Sequence, residues 1–539
     1  MLRIFPITTI GLMLGPVVAG LVGLIAPAFD GGFSNLSRMP GIQQSIRLSL
    51  TTGLFATLLS LVITVLILSA FHQSRVMRWL RHALSPFLAI PHTSAAFGLA
   101  FLIAPSGWIA RAVSPWLTGW DTPPDVLILQ DEYGIAMIIG LVVKEVPFLL
   151  LLSLSALAQL PSGLHQVYRS LGYVPMLGWL KAVFPLIYPQ IRLPVFAVLA
   201  YSLSVVDVAI ILGPSTPPTL AVQITRWMSD PDLSLRSTAA AAAVLQMGIV
   251  LGAIFLWWIG EQGIKWLGRR WILLGARGTR FSGVRKVAGI TLSALCAVFV
   301  FGFLGLLVWS CAGFWQFPDV LPEGYTLRSW LRFGHGVFEV GVTTTVIAAA
   351  TVLVSLVLVL GSLESGARTV TLLVYVPLVI PQIVFLPGLQ VLLLKLGWSV
   401  GVLPVAFAHM VFVLPYVYLA LAGAHHAWDE RLAVVARSMG ALRTRVFWRL
   451  RFPMLLAPVL GAVAIGFAVS VGQYLPTLMM GGGRVETLTT EALAFASGND
   501  RRAIGVFGLV LTGAALVPFA LAVAVPAFVW RNRREMQDA

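Results

Sequence analysis

Apolar stretches recur along this chain between short polar or basic loops. Their common length of about 20 residues is what an α-helix needs to cross a hydrocarbon core of about 30 Å. Twelve stretches meet it. In the first half they cover roughly 8–28, 46–70, 84–104, 134–158, 186–212 and 237–260, and in the second 288–311, 337–361, 372–394, 400–422, 455–480 and 503–530. Pro91 interrupts the third, and Pro381 and Pro387 the ninth; spans accept proline where neighbouring groups re-satisfy the backbone. The pattern predicts an all-α integral membrane protein of about 12 transmembrane helices.

Composition agrees. Hydrophobic residues make up 58% of the 539 and charged ones 11%, against about 25% charged in a soluble domain. Only Arg3 precedes the first apolar run and no small-x-small cleavage site follows it, so that run reads as a span and not a signal peptide. The net charge of +15 does not call for nucleic acid, because basic residues collect on the cytoplasmic side of membrane proteins. One set of loops holds Arg75, Arg78, Arg81, Lys265, Arg269, Arg270, Arg277, Arg280, Arg285, Lys286, Arg431, Arg437, Arg443, Arg445, Arg449, Arg451, Arg531, Arg533 and Arg534. The opposite set holds Asp121, Asp125, Asp131, Glu132, Asp230, Asp232, Asp319 and Glu323. Both termini are thus expected in the cytoplasm, against a lipid surface. Cys296 and Cys311 share one apolar segment and read as packing residues.

The halves repeat. Pro147 and Pro415, Arg169 and Arg437, Gly172 and Gly440, Pro185 and Pro453, Gly213 and Gly481, and Leu220 and Leu488 share one step (437 − 169 = 268). Earlier landmarks, such as "IPH" at Ile90 and "IPQ" at Ile380, match at a different step, absorbed by the longer loop "PSGWIARAVSPWLTGWDTPPDVLILQDEYG". The division is residues 1–260, a basic linker at 261–287, and residues 288–539. Six spans per half give both halves one orientation and a pathway between them.

Two inserts after the fourth span of each half carry "RSLGYVPMLGWLKAVFP" from Arg169 and "RSMGALRTRVFWRLRFP" from Arg437. Leu164, Val167, Tyr168 and Leu171 recur at helical spacing, as do Leu432, Val435, Ala436 and Met439. Gly172 and Gly440 then end the turn in positive φ, and Pro185 and Pro453 open the re-entering helix. A short amphipathic helix, a glycine break and a Phe-Pro re-entry describe a docking knob.

These inserts resemble the cytoplasmic loop of permease subunits of type I ATP-binding-cassette importers, whose hallmark is Glu-Ala-Ala, three residues, Gly, nine residues, then Ile-x-Leu-Pro. Gly172 with Pro185 and Gly440 with Pro453 keep the Gly-to-Pro spacing. Gln166 and Val434 replace the glutamate, Phe184 and Phe452 the leucine, and Ala182 and Leu450 the isoleucine. The resemblance implies a MetI-like permease fold with coupling loops at 159–185 and 425–453. ATPase docking would then fall to Leu164, Val167, Arg169, Leu171, Gly172 and Pro185, and to Leu432, Val435, Arg437, Met439, Gly440 and Pro453. Arg169 and Arg437 would satisfy carbonyls at the helix end. Implied partners are two copies of a cytoplasmic ATP-binding subunit and a periplasmic or extracellular solute-binding protein. Two such domains in one chain resemble the fused permeases for thiamine and ferric iron, which makes a thiamine-like solute the first expectation and ferric iron the next.

No ATPase motif, cofactor motif or catalytic residue is expected. None of Lys144, Lys181, Lys265, Lys286 or Lys395 follows a glycine, as a phosphate-binding loop requires. In "HHAWDE" the histidines His425 and His426 are adjacent, not four apart, which argues against zinc; Asp429 and Glu430 fit a helix start. Within the spans, Lys144 and Glu145 read as structural ion-pair residues, each meeting another helix. Ser202, Ser204 and Asp207, with Ser470, Gln473 and Tyr474 in the second half, are the candidates for a translocation path. The rival reading is a secondary transporter built as a 6+6 repeat and driven by an ion gradient.

Overall fold

The computed structural model describes residues 4–72, 74–161, 163–278 and 282–531; Arg3, Arg280, Arg533 and Arg534 lie outside them. Among the described residues, 10 helices are long and apolar enough to cross a membrane, and two further helix pairs, bent by 96° and 73°, bring the number to 12. In chain order the spans are Ile4–Pro27, Ile42–Phe71, His92–Ile103, Ile135–Ala158, Phe184–Ser204 and Leu235–Leu273, then Ser282–Cys311, Arg328–Glu364, Gln382–Lys395, Val402–Ala427, Leu456–Val471 and Arg501–Val529. We number them spans 1 to 12.

The repeat seen in the letters recurs in the helices. Pro175–Gly178 and Arg443–Val446, the π-helical turns Trp179–Val183 and Phe447–Arg451, and Leu220–Ser229 and Leu488–Ser497 are matched pairs at the same step (488 − 220 = 268). Each of the last two helices starts on a span of its own half. The Leu220 amide donates to Ser49 Oγ at 2.9 Å and the Leu488 amide to Thr344 Oγ1 at 2.9 Å. An unsatisfied helix-start N–H is costly away from water, so a hydroxyl is placed at each.

The halves exchange their first spans. Span 1 packs along span 9, and span 7 along span 3. At both crossings two glycines meet: Gly20 with Gly388, and Gly302 with Gly98. Gly98 and Gly388 each lie seven residues beyond the matched prolines Pro91 and Pro381 (98 − 91; 388 − 381). A Cβ built on Gly98 stands 2.9 Å from the Gly302 Cα, and one on Gly388 runs into the Gly20 carbonyl. Lipid supplies no hydrophobic push between helices, so close backbone approach at small residues is what holds such a crossing.

Several boundaries depart from the sequence reading. The stretch 261–287 is helical for most of its length, because span 6 continues to Leu273 and span 7 begins at Ser282. Glu261, which reads as the first polar residue of a linker, is buried; it pairs with Arg192 at 2.9 Å and accepts from the Tyr188 hydroxyl at 2.7 Å. Neutralised there, it does not end the helix. The third stretch, expected at 84–104, breaks at Ile90 and Pro91 into Arg75–Ala89 and His92–Ile103, since a residue before proline is pushed out of helical geometry. The fifth and eleventh end early, and their last turns become the separate helices Asp207–Leu212 and Leu475–Gly481.

Replacing Gly98 with Leu should overpack the span 3–span 7 crossing by about 1–3 kcal/mol or more. The unfolding temperature of the detergent-solubilised protein should fall. A variant that unfolds at the wild-type temperature would show that the crossing does not hold the halves together.

Candidate functional site

Each of the two inserts is built on a helix ending in a Schellman turn. In the first, Leu164–Ser170 is closed by Gly172 N–H to Arg169 C=O at 2.9 Å and Tyr173 N–H to Tyr168 C=O at 3.1 Å. In the second, Glu430–Ser438 is closed by Gly440 N–H to Arg437 C=O at 2.9 Å and Ala441 N–H to Ala436 C=O at 3.0 Å. The closing residue must take the left-handed conformation; Gly172 has φ 82° and Gly440 φ 84°. This turn accounts for the recurring glycine; the carbonyl that receives its amide is backbone, which any residue in the arginine's place would offer. The Arg437 side chain also donates Nε to Ala433 C=O at 3.2 Å, whereas the Arg169 side chain is exposed.

The predicted apolar face divides into two. Tyr168, 2% exposed, turns inward, its ring against Gly178 and its hydroxyl 3.4 Å from His72 Nε2. Burial, partly offset by the Arg169 charge, raises its pKa and keeps the phenol neutral. Ala436, at the matching position, packs in a small cluster with Trp428, Ala433 and Val446. Val167 and Leu171 point outward, as do Val435 and Met439, the last 77% exposed. Leu432 is exposed too, while Leu164 is half-buried against its own half. Inward residues fix the knob and outward ones remain to be covered. A one-residue step on a helix turns the side chain by about 100°, which separates neighbours 167 and 168.

Pro185 and Pro453 lie in the first turn of the helices that follow, where a missing N–H costs nothing. The π turn just before each proline supplies the change of hydrogen-bond register that lets the chain run on through it.

The two knobs are tethered differently. Lys181 Nζ donates to Trp271 C=O at 3.0 Å and Ala276 C=O at 2.9 Å, and Val174 N–H donates to Arg277 C=O at 3.1 Å. The first knob therefore rests on the chain that joins the halves. The second is held by Arg451, which reaches Glu364 at 3.0 Å and Glu430 at 3.2 Å over the Trp428 ring, while His425 meets Glu364 at 3.0 Å. Arg451 reads in sequence as one of the basic loop residues that set the orientation; in the structure it is half-buried and also ties the knob to span 8. Val183 occupies the matching position of the first half.

A second polar group lies within the spans, where the halves meet. His92 Nε2 is 3.2 Å from Glu145 Oε1, and the His92 ring lies 4.9 Å from that of Tyr201. The Thr93 hydroxyl donates to Asp207 Oδ2 at 2.9 Å. Tyr416 is within electrostatic range of Glu145, and Tyr474 within range of Asp207. First-half carboxylates thus lie within electrostatic range of second-half phenols. Gln473 accepts from Gln382 at 3.3 Å, and Ser470 bonds His409 Nδ1 at 2.9 Å, with Thr477 on the other imidazole nitrogen at 2.9 Å. Ser204 donates back to its own helix at Ala200 C=O, and the Ser202 hydroxyl is buried without a partner, so these two stand apart from the group. Lys144 forms no carboxylate pair among the described residues. Its Nζ donates to Ile90 C=O at 2.6 Å and Phe87 C=O at 3.1 Å, capping the open carbonyls at the end of Arg75–Ala89. Sequence reasoning passed over Thr93, Tyr201 and Tyr416; the available signal was the break at Pro91, which leaves His92 and Thr93 at an exposed helix start. Among the described residues no group of three or more His, Cys, Asp or Glu could hold a metal ion.

Two exchanged halves around a polar seam are the build of a membrane permease. Residues 358–530 match the family described as the binding-protein-dependent transport system inner membrane component. The chain is 30% identical over 536 residues to the inner membrane ABC transporter permease protein YnjC of Escherichia coli (strain K12), covering 98% of this chain and 97% of that protein. It is 24% identical to the spermidine/putrescine transport system permease protein PotC of Haemophilus influenzae, over 23% of this chain and 48% of that one. It is 30% identical to the molybdenum transport system permease protein ModB of Mycobacterium tuberculosis, over 23% and 47%. The chain belongs to the family of ABC transporter permeases, the membrane subunits of binding-protein-dependent transport systems, and is a permease subunit, not an enzyme.

Replacing Gly172 or Gly440 with Leu puts a side chain where φ is positive, at a cost of about 1 kcal/mol or more. The protein should still insert and purify, but recover less of its ATPase subunit in a pull-down. Wild-type recovery by both variants would refute the docking assignment.

Proposed function

We propose that residues 1–260 and 288–539, joined by 261–287, form the pathway of a bacterial importer in the inner membrane, with both termini cytoplasmic. Each coupling loop, 159–185 and 425–453, seats one copy of a cytoplasmic ATP-binding subunit through its outward apolar residues. The opposite face receives a solute-binding protein. ATP binding draws the two subunits together, carries the knobs with them and opens the seam outward. The observation that carries this reading is the duplication, at one step, of an exposed apolar knob on a rigid Schellman turn. A gradient-driven transporter has no use for two such knobs.

For the solute, the seam supports a small organic cation. Asp207 and Glu145 supply negative charge within the spans, and Tyr201, Tyr416 and Tyr474 supply ring faces that attract cations. This suits the polyamines in the name of PotC and a thiamine-like cation alike. It gives no support to an anionic solute, which two carboxylates would repel. Ferric iron has less support, since no group of three or more His, Cys, Asp or Glu able to hold a metal stands among the described residues.

In proteoliposomes carrying the permease, its ATPase and its binding protein, Asp207→Asn should slow solute uptake by about tenfold, the equivalent of about 1.4 kcal/mol. It should leave ATPase recovery unchanged. Uptake at the wild-type rate would remove Asp207 from the path. Orientation is checked by single cysteines in a variant lacking Cys296 and Cys311. A cysteine at exposed Asp125 should react with an impermeant thiol reagent added to intact cells, and one at exposed Ala427 should not. The reverse pattern overturns the topology and the docking reading with it.

A further inference from the structure

At the end of the molecule opposite the coupling loops, a cleft of about 550 Å³ opens between the halves. Arg111 and Asp121 reach it from the first half, and Trp309, Trp315, Arg501 and Arg502 from the second. Arg111 is only 3% exposed. Its Nε donates to Ser106 C=O at 3.0 Å and its Nη1 to the carbonyls of Gln316 at 2.8 Å and Asp319 at 2.7 Å, with the guanidinium over the Trp315 ring. Arg501 Nη2 donates to Ser106 Oγ at 2.6 Å, over the Trp309 ring. Arg502 is spent on the carbonyls of Ala312 and Gly313.

Arg111 and Arg501 stand within electrostatic range of each other, yet neither forms an ion pair among the described residues. Arg111 Nη2 and Arg501 Nε and Nη1 make no hydrogen bond there, and none of these atoms is sealed from the cleft. Of the acids nearby, Asp319 lies within electrostatic range of Arg111 but forms no ion pair with it among the described residues. Asp500 accepts the amides of Arg502 and Ala503 at 3.1 Å each, capping span 12, and Asp121 is exposed. Two like charges held together, with free donors aimed into one space, fit a carboxylate that both can grip.

We propose that this cleft is the seat for an acidic side chain of the solute-binding protein, gripped by Arg111 and Arg501. The proposal rests on the importer reading. The walls come from loops of both halves, so an occupant bridges the seam that has to open. Exposed Asp121 at the mouth weakens, without abolishing, the hold on a free anion or a lipid phosphate, whereas a protein face can set a basic residue beside its acid. The seat is single: the first-half positions matching Arg501 and Arg502 are Leu233 and Ser234 (501 − 268 = 233), next to Asp230 and Asp232. A pseudo-symmetric permease thereby receives its partner in one orientation of the two that its symmetry offers.

The test uses the full importer in nanodiscs, with ATPase activity read against binding-protein concentration. Arg501→Gln and Arg501→Glu should raise the half-stimulating concentration by about tenfold or more, as loss of one member of a desolvated charge pair does, with Arg501→Lys between them and the wild type. Unchanged values in both variants overturn the seat. A shift seen only in nanodiscs containing anionic lipid assigns the cleft to a lipid phosphate and equally overturns it. Should wild-type ATPase show no response to the binding protein, the importer reading fails, and citrate judges the anion site by itself. Citrate should raise the unfolding temperature of the purified permease above that in sodium chloride of equal ionic strength. That gain should vanish in Arg501→Gln; an equal gain in both would overturn the site.

Discussion

The two glycine crossings, Gly20 on Gly388 and Gly302 on Gly98, are the constraint from which the rest of the molecule follows. They let spans 1 and 7 leave their own halves and lie in backbone contact with the other half. Helices in lipid gain nothing from merely being apolar; their association has to come from close packing. With one span of each half locked into its neighbour, the halves cannot drift apart. They can tilt against each other about the crossings, and any opening has to appear at the seam between them.

That seam is polar because the helices around it are broken. Pro91 and Pro381 stop one helix and start another within the membrane thickness, and each break leaves carbonyls and amides to be satisfied. Lys144 serves the carbonyl side of the first break, and His92 and Thr93, at the helix start, turn to Glu145 and Asp207. The second half answers with neutral groups, Gln382 on Gln473 and His409 between Ser470 and Thr477. The charge of the seam therefore comes from one half alone, although the backbone is duplicated.

Much of this was legible in the letters. Span number, the 268-residue step, the knob and the positive φ of its glycines all follow from local pattern: length, recurrence, and a residue whose missing Cβ fits one backbone conformation. What was not legible depends on partners distant in sequence. Gly98 and Gly388 look like ordinary glycines of apolar runs until spans 7 and 1 lie against them. Glu261 reads as the start of a linker until Arg192 neutralises it. Tyr168 reads as one more apolar position of the knob, and only its packing on Gly178 turns it inward, away from Val167 and Leu171. Lys144 next to Glu145 suggests ion pairing, but its actual partners are carbonyls exposed by a helix break that sequence reading had treated as a flaw within a continuous span.

The tethers of the knobs carry the asymmetry to the other end of the molecule. Lys181 ties the first knob to carbonyls at the end of span 6, so that knob moves with the segment joining the halves. Arg451 ties the second to Glu364 at the end of span 8, next to His425 of span 10, within its own half. Hydrogen bonds to carbonyls keep their partners through small rotations, because each oxygen offers two lone pairs over a broad range of directions. Arg451 is shared between Glu364 and the exposed Glu430, so the contact to Glu430 yields readily to water, whereas the one to Glu364, beside His425, holds the knob to spans 8 and 10. A shift of the first knob is therefore passed to the segment joining the halves, and a shift of the second to spans 8 and 10 of its own half. Span 10 carries Tyr416, and the first half carries Glu145, within electrostatic range of it. The second tether thus connects its knob, through His425, to the span that carries Tyr416.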